Sequence, residues 1–409
     1  MKTLLKSQIN LFLLVFLSIL LGFVSCKKSD DPDPVDYTDQ LQTMIDTKWD
    51  DYWVGKNEPI GGVMFKISSP LGDYFVSANH NNSVNENVHF RGGSTTKMFT
   101  AASIMLLEQQ GKLNIDDFLT DIIPGTSEPY IPDLPEYDIP YKNEISIKLM
   151  LQHRSGIYDI TNDPAPADIP EPYAGMTFNN YVMFVLQDST YNYTIREYTE
   201  ILAKYHLSYF KPDSAFHYSN NGYKLLGLIV ERISGMSCED FFTANFSNPL
   251  GLTKSSFSSD STIHGLPEPF VHGYYVSADY IGDVTRAINL SSGIADGNII
   301  TTCYDLNKWN KKLLEGEAGL SKSTVAKMME YKETFDGHMY YGLGINYTPG
   351  LGYGHNGGVF GYVTITRYNP DNQVTVTMNA SFMEADDMYK EADFLYDIAH
   401  GAYKIMGYE

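Results

Sequence analysis

The segments with strand character lie at the two ends of this 409-residue chain, and a long stretch of helical and loop character separates them. Near the start, Gly62-Val63-Met64-Phe65-Lys66-Ile67 and Asp73-Tyr74-Phe75-Val76-Ser77 flank Pro70-Leu71-Gly72, a hairpin signal. Near the end, Tyr341 to Tyr347, Val359 to Tyr368 and Gln373 to Asn379 read as strands. Helices are predicted at 36–53, where Tyr37, Leu41, Met44, Ile45 and Trp49 have helical spacing, and at 95–111, 146–152, 219–235 and 384–406. Residues 159–178 are rich in proline and acid and read as a long loop. The expected architecture is one α+β domain over 36–409, with an antiparallel sheet built from both termini and flanked by helices. Its α/β part covers about 36–104 and 286–409, and the inserted part at about 105–285 is mostly helical.

The first residues predict export. Lys2 and Lys6 precede an apolar run from Leu11 to Val24. That run is shorter than the roughly 20 residues a transmembrane helix needs, and a basic start before an apolar centre makes a secretory signal over 1–25. Val24-Ser25-Cys26 resembles a bacterial lipobox, whose cysteine is lipidated, with Phe23 where that box usually has Leu. An ordinary signal peptide with a chance cysteine is the alternative. Residues 26–35 carry Lys27-Lys28-Ser29-Asp30-Asp31-Pro32-Asp33-Pro34, which cannot pack and reads as a tether. The expectation is an exported protein anchored through Cys26, at the outer membrane or cell surface, with the periplasmic side left open.

Charge narrows the partners. Lys+Arg number 29 against 50 Asp+Glu, a formal net charge of −21, so the basic footprint of a nucleic-acid binder is missing. No CxxC, HExxH or GxSxG occurs, which removes zinc ribbons, zincin proteases and the α/β-hydrolase nucleophile elbow. Cys238 and Cys303 are open to either a disulfide or free thiols.

Three segments carry chemistry. Ser94-Thr95-Thr96-Lys97 is an SxxK at the head of a predicted helix, where residues three apart share a face. A serine hydroxyl attacks only when a base takes its proton, and a lysine serves if its surroundings lower its pKa. The pattern itself is cheap: Ser25–Lys28 and Ser208–Lys211 also match, and a serine there can be a simple helix cap. Context favours Ser94. Gly92-Gly93 permit close backbone approach, and the apolar run from Met98 to Leu106 would bury a lysine that then needs a purpose. Second, in Tyr218-Ser219-Asn220 a tyrosine can act as base and an amide can hold a substrate, although the same triplet could be a turn entering a helix. Third, Gly354-His355-Asn356-Gly357-Gly358 lies between predicted strands, where glycines would let a substrate backbone lie on a sheet edge and a free N–H would donate to an oxyanion; a plain β-turn is the alternative. Gly352–Gly357 also fits GxGxxG, but a strand rather than a helix follows, so a dinucleotide site is rejected.

In this order the three segments resemble the motifs of the penicillin-recognising serine hydrolases: SxxK at Ser94–Lys97, YxN at Tyr218–Asn220, and the histidine form of the third motif at His355–Gly357. Ile145–Gly156 and Tyr341-Gly342-Leu343-Gly344 look similar as well, and the resemblance spans about residues 40–405. It implies a β-lactamase/transpeptidase-like fold and a serine hydrolase acting on an ester, peptide or β-lactam through an acyl-enzyme, with no metal or cofactor. In that reading Ser94 attacks, Lys97 and Tyr218 share the base and proton-return work, and Asn220 orients a small-molecule or peptide substrate. His355 polarises Tyr218 or binds substrate beside Gly357, and the N–H groups of Ser94 and Gly358 form the oxyanion hole. His153 looks structural.

Two features depart from β-lactam specialists. Asn356 and Gly358 offer no hydroxyl for a substrate carboxylate, and the chain is strongly negative. Both move weight toward an esterase or another peptidase. Asp159, Asp163, Asp168 and Glu171 would line the cleft entrance and favour cationic or neutral substrates. The competing readings are a non-catalytic surface receptor of the same fold, and a penicillin sensor that is acylated once.

Overall fold

The computed structural model describes residues 35–56, 58–334, 340–385 and 388–409; the export signal, Cys26 and the tether as far as residue 34 lie outside the described residues. Tyr37–Glu409 forms one compact unit. In its first half the elements used below are α1 (Thr38–Trp53), β1 (Val63–Ser69), β2 (Gly72–Ala78), β3 (Phe90–Gly93), α2 (Thr96–Gln109), α3 (Ile147–Leu151), α4 (Ile195–Lys204) and α5 (Asn220–Ser234). Then come β4 (Ser256–Phe257), β5 (Tyr274–Val276), β6 (Ile281–Asp283), β7 (Ile299–Thr301), α6 (Cys303–Leu314) and α7 (Lys322–Met329). The chain closes with β8 (Lys332–Glu333), β9 (Tyr340–Tyr341), β10 (Asn346–Thr348), β11 (Gly352–Val359), β12 (Tyr362–Asn369), β13 (Val374–Ala380), β14 (Phe382–Glu384) and α8 (Met388–Met406).

The two ends do meet. An antiparallel sheet runs β2-β1-β13-β12-β11-β10-β9-β8, and its closing pair joins β1 to β13 from Val63↔Ala380 to Ser68↔Thr375. The β1–β2 hairpin turns through Pro70-Leu71, as the sequence predicts. Helix α1 buries Leu41, Ile45, Trp49 and Trp53, one every four residues, so a single stripe faces the sheet. Helix α8 shares that core through Phe394, Leu395, Ile398 and Tyr403, and Trp49 meets Phe382 edge-on at 5.7 Å. A second core holds α2, α5 and α6 against the helical region; Phe99 of α2 stacks on Trp309 of α6 at 3.9 Å.

The structure redraws some details. Tyr341 to Tyr347 is not one strand but β9 and β10 folded on each other, with Gly342 N–H donating to the Ile345 carbonyl and Gly344 at φ +71°. Val359 closes β11 instead of opening the next strand, and the glycine-rich run 354–358 is itself strand. Three short strands, β4 to β6, lie within 105–285; β4 pairs with β7, β5 with β14, and β6 with β5. Elements of two or three residues are too short to show an alternation. Of the loop expected over 159–178, residues 159–177 contain no helix or strand, and a short helical turn begins at Phe178. Cys238 and Cys303 are buried free thiols, which decides between the two alternatives.

Candidate active site

Ser94 sits where β3 turns into α2. Gly93 takes a left-handed φ of +54°, open to glycine at little cost, and reverses the chain before Ser94. The Thr95 hydroxyl donates to the Gly92 carbonyl at 3.0 Å and the Thr96 hydroxyl to the Gly93 carbonyl at 2.8 Å, pinning the turn. From Thr96 to Leu107 every residue of α2 is buried, so Lys97 has no exposed face to reach.

Lys97 is fully buried, with Nζ held by three oxygens. It lies 2.6 Å from Asn220 Oδ1, 2.8 Å from the Asp296 carbonyl oxygen and 3.2 Å from Ser94 Oγ. The first two are acceptors only; a hydroxyl can also donate. A neutral amine would therefore place its two N–H bonds on Asn220 and Asp296 and aim its lone pair at the Ser94 hydroxyl. Burial pushes the lysine down from 10.5 to about 8, the nearby Lys224 adds to this, and Asp296 and Asp159 oppose it. A fraction of the protein thus carries the free amine near neutral pH.

Tyr218 supplies the second group. Its ring stands 4.8 Å from Lys97 Nζ, and the Ser94 side chain is near enough to its hydroxyl to favour the ionised form slightly. Burial raises its pKa well above 10, so the phenol rather than the phenolate is the resting form. Asn220 opens α5, which Ser219 caps by accepting from Gly222 N–H at 3.2 Å. Ser94, Lys97, Tyr218 and Asn220 therefore converge as the sequence predicts.

His355 does not stand as expected. It is buried, its Nδ1 hydrogen-bonds to the Asn356 carbonyl, and its Nε2 lies 2.8 Å from the Tyr341 hydroxyl. Both nitrogens are occupied, so it neither bonds to Tyr218 nor offers its ring to substrate. The hydrogen-bond direction follows from one backbone donor. Ser219 N–H donates to His153 Nδ1 at 3.0 Å, so His153 carries its proton on Nε2, 3.2 Å from the Tyr341 oxygen. Tyr341 then donates to His355 Nε2, and His355 Nδ1–H to the Asn356 carbonyl. Burial lowers both histidines, His355 to about 3, and keeps them neutral. His153 also lies 4.1 Å, ring to ring, from Tyr218 and buttresses it.

The glycines have a different purpose too. A Cβ on Gly357 would lie 2.0 Å from the Gly92 carbonyl oxygen, and one on Gly93 would lie 2.9 Å from that of Gly358. Beyond Gly354, β11 loses its β10 partner, and this free edge is packed against the Ser94 turn. Gly357 therefore serves backbone packing, while Gly358 and Ser94 border the cleft. Asn356 lies outside the cleft lining; its Oδ1 accepts from Arg367 at 2.6 Å and from Tyr396 at 3.1 Å.

The cleft over Ser94 has a volume of about 220 Å³ and is lined in part by Asn162, Asn179, Asn180, Asn220, Met183 and Phe360. Among the described residues no Lys or Arg lines it. The acidic loop borders the cleft through Thr161 and Asn162, but Asp159, Asp163, Asp168 and Glu171 are not in its lining. Asp159 is buried beneath the cleft, accepting from the N–H groups of Asn220 and Thr161. Glu171 pairs with Lys204, and Asp163 accepts from Tyr209. Sequence reasoning missed Asp296 and Lys224, and met Tyr341 only as part of a flanking segment. Lys224 carried a signal, a lone charge in the apolar run Tyr223–Val230; Asp296 carried none beyond its flanking Gly293 and Gly297.

Comparison with known proteins agrees with this geometry. The family described as Beta-lactamase matches residues 72–400. Penicillin-binding protein 4* of Bacillus subtilis (strain 168) is 27% identical over 320 residues, 74% of this chain and 62% of that protein. Protein flp of Staphylococcus aureus (strain NCTC 8325 / PS 47) is 31% identical over 165 residues, 40% of this chain and 27% of that one. The chain thus spans less than two thirds of the length of these relatives. Among solved structures, a D-stereospecific amidohydrolase from Streptomyces sp. superposes with TM-score 0.71 at 22% identity, covering 88% of this chain and 97% of its own. The D-amino acid amidase from Ochrobactrum anthropi SV3, complexed with L-phenylalanine amide, gives 0.70 at 20%, covering 89% and 99%. With the fold shared across nearly the full unit and the family match running from β2 into α8, the chain belongs to the β-lactamase family.

Proposed function

We propose that this protein is a serine hydrolase that cleaves ester or amide bonds through an acyl-enzyme on Ser94. The observation that carries the reading is the setting of Lys97: two pure acceptors fix its N–H bonds, and the remaining direction faces the serine. Neutral Lys97 takes the hydroxyl proton as Ser94 Oγ bonds to the substrate carbonyl carbon. Tyr218 relays a proton to the leaving alcohol or amine as the C–O or C–N bond breaks. Water, deprotonated by the same pair, then attacks the ester and returns Ser94. Backbone N–H groups of Ser94 and Gly358 receive the oxyanion, and such donors typically supply about 2.7–4 kcal/mol each.

The substrate is a small molecule or peptide whose acyl part is uncharged or cationic. The amide-rich lining without Lys or Arg among the described residues supports this, since a β-lactam carboxylate would find no cation there. Amides of D-amino acids are the first class to try, given the names of the two structural relatives. We also propose export and lipid anchoring at Cys26, which Cys26→Ser would convert to a soluble exported form.

The test is turnover of a nitrophenyl ester, a D-amino acid amide and a β-lactam by the purified protein beside Ser94→Ala. Activity on the first two that collapses in the variant is expected. Equal activity in both proteins would overturn the assignment of Ser94.

A further inference from the structure

The reaction as described leaves a second buried lysine without a task. Lys224 stands on α5 one turn after Asn220 and is 1% exposed. Its Nζ lies 2.9 Å from the Asp296 carboxylate and 2.7 Å from the Ser292 carbonyl, and 4.7 Å over the ring of Tyr198 on α4. Asp296 is the residue whose backbone carbonyl holds Lys97. It thus touches both lysines, one through its main chain and the other through its side chain. The fold invests strain in this arrangement: Ala295 takes φ +64°, which costs an alanine roughly 1 kcal/mol or more.

The charges around Lys97 can be named element by element. Ser94 faces it from its own turn. Asn220, Tyr223 and Lys224 face it from α5, with Tyr218 just before that helix. Asp159 comes from the long loop and Asp296 from the turn before β7. His153, after α3, and His355, on β11, are neutral. The ionic surroundings are therefore two carboxylates and one ammonium. An unpartnered carboxylate beside a buried lysine would hold it as ammonium and spoil it as a base. An ammonium already seated on that carboxylate offsets part of the effect.

We propose that Lys224, seated on the Asp296 carboxylate, is the counter-charge that keeps Asp296 from fixing Lys97 as the ammonium beside Ser94. Lys224 does not line the cleft, so it is a positioning residue that acts through Lys97. The proposal rests on Lys97 being the base, and its test separates the two ideas.

Lysine-labelled protein would be titrated by NMR to follow Lys97, and the pH dependence of phosphonylation of Ser94 by a fluorophosphonate would be measured in parallel. Wild type, Lys224→Met and Asp296→Asn are compared. Lys224→Met is expected to move both the Lys97 titration and the acid limb alkaline by about one pH unit, making the protein about tenfold slower at pH 7. Asp296→Asn is expected to move both toward acid. A purely structural role would lower amplitudes in both variants without opposite shifts. If Lys224→Met fails to fold, with Asp296 left buried and unpaired, the acid shift in Asp296→Asn carries the test. An unchanged Lys97 titration in the folded variants overturns the pair. Absence of labelling in wild type instead overturns the role of Ser94, and the NMR titration still decides the pair.

Discussion

Lys97 links two properties that are usually separate, reactivity and cost. An ammonium at this depth is unfavourable, and the structure offers it carbonyl-type oxygens without a carboxylate oxygen in hydrogen-bond contact. The rate of Ser94 acylation should therefore rise about tenfold per pH unit below about pH 8 and level off above it, as the free-amine fraction does. The sign for stability follows from the same shift. Below about pH 8 both folded and unfolded Lys97 are protonated, and the folded state bears the full cost. Between about 8 and 10.5 the unfolded chain binds more protons, so stability rises with pH. Against Lys97→Met, denaturant unfolding should show wild type gaining on the order of 3 kcal/mol across that window; a constant difference would refute the shift. At this scale the sequence was partly legible. Ser94, Lys97, Tyr218 and Asn220 stand together because motif spacing on a helix and a cap translates directly into position. His355 was misread because a side chain's partners depend on elements far away in sequence, here Tyr341 and His153.

At the scale of elements, the decisive contact is between the free edge of β11 and the β3–α2 turn. Gly357→Ala would drive a Cβ to within 2.0 Å of the Gly92 carbonyl, which is backbone and cannot swing aside. We expect a loss of roughly 1–3 kcal/mol in denaturant unfolding and a much larger fall in kcat than in substrate affinity, because the Ser94 turn moves. Normal kcat in a stable Gly357→Ala would show that this contact does not set the turn. Helices α2 and α5 were legible to within two residues, since long apolar periodicity and a terminal Gly235 mark them. The fold-back of β9 on β10 and the three short strands in the middle were not, because their pairing is written in their partners.

Over the whole molecule, the chain closes on itself through β1–β13 and the α1–α8 layer, with Ser94 carried on the opposite core. Trp49→Ala should destabilise by about 3–5 kcal/mol and leave the pH dependence of acylation untouched, since Trp49 packs only in the layer behind the sheet. A shift in that pH dependence would mean the two cores are coupled more tightly than their contacts show. Because Cys238 and Cys303 are separate free thiols, reductant should leave the melting temperature unchanged. The architecture itself was the most legible level, as strands at both ends of a chain have few ways to pair. The most direct measurement is intact-mass and peptide mapping after exposure to a fluorophosphonate at pH 8. The account predicts a single phosphonyl group on the peptide bearing Ser94, absent in Ser94→Ala and strongly slowed in Lys97→Met. An adduct on another serine, or labelling unaffected by the loss of Lys97, would contradict it.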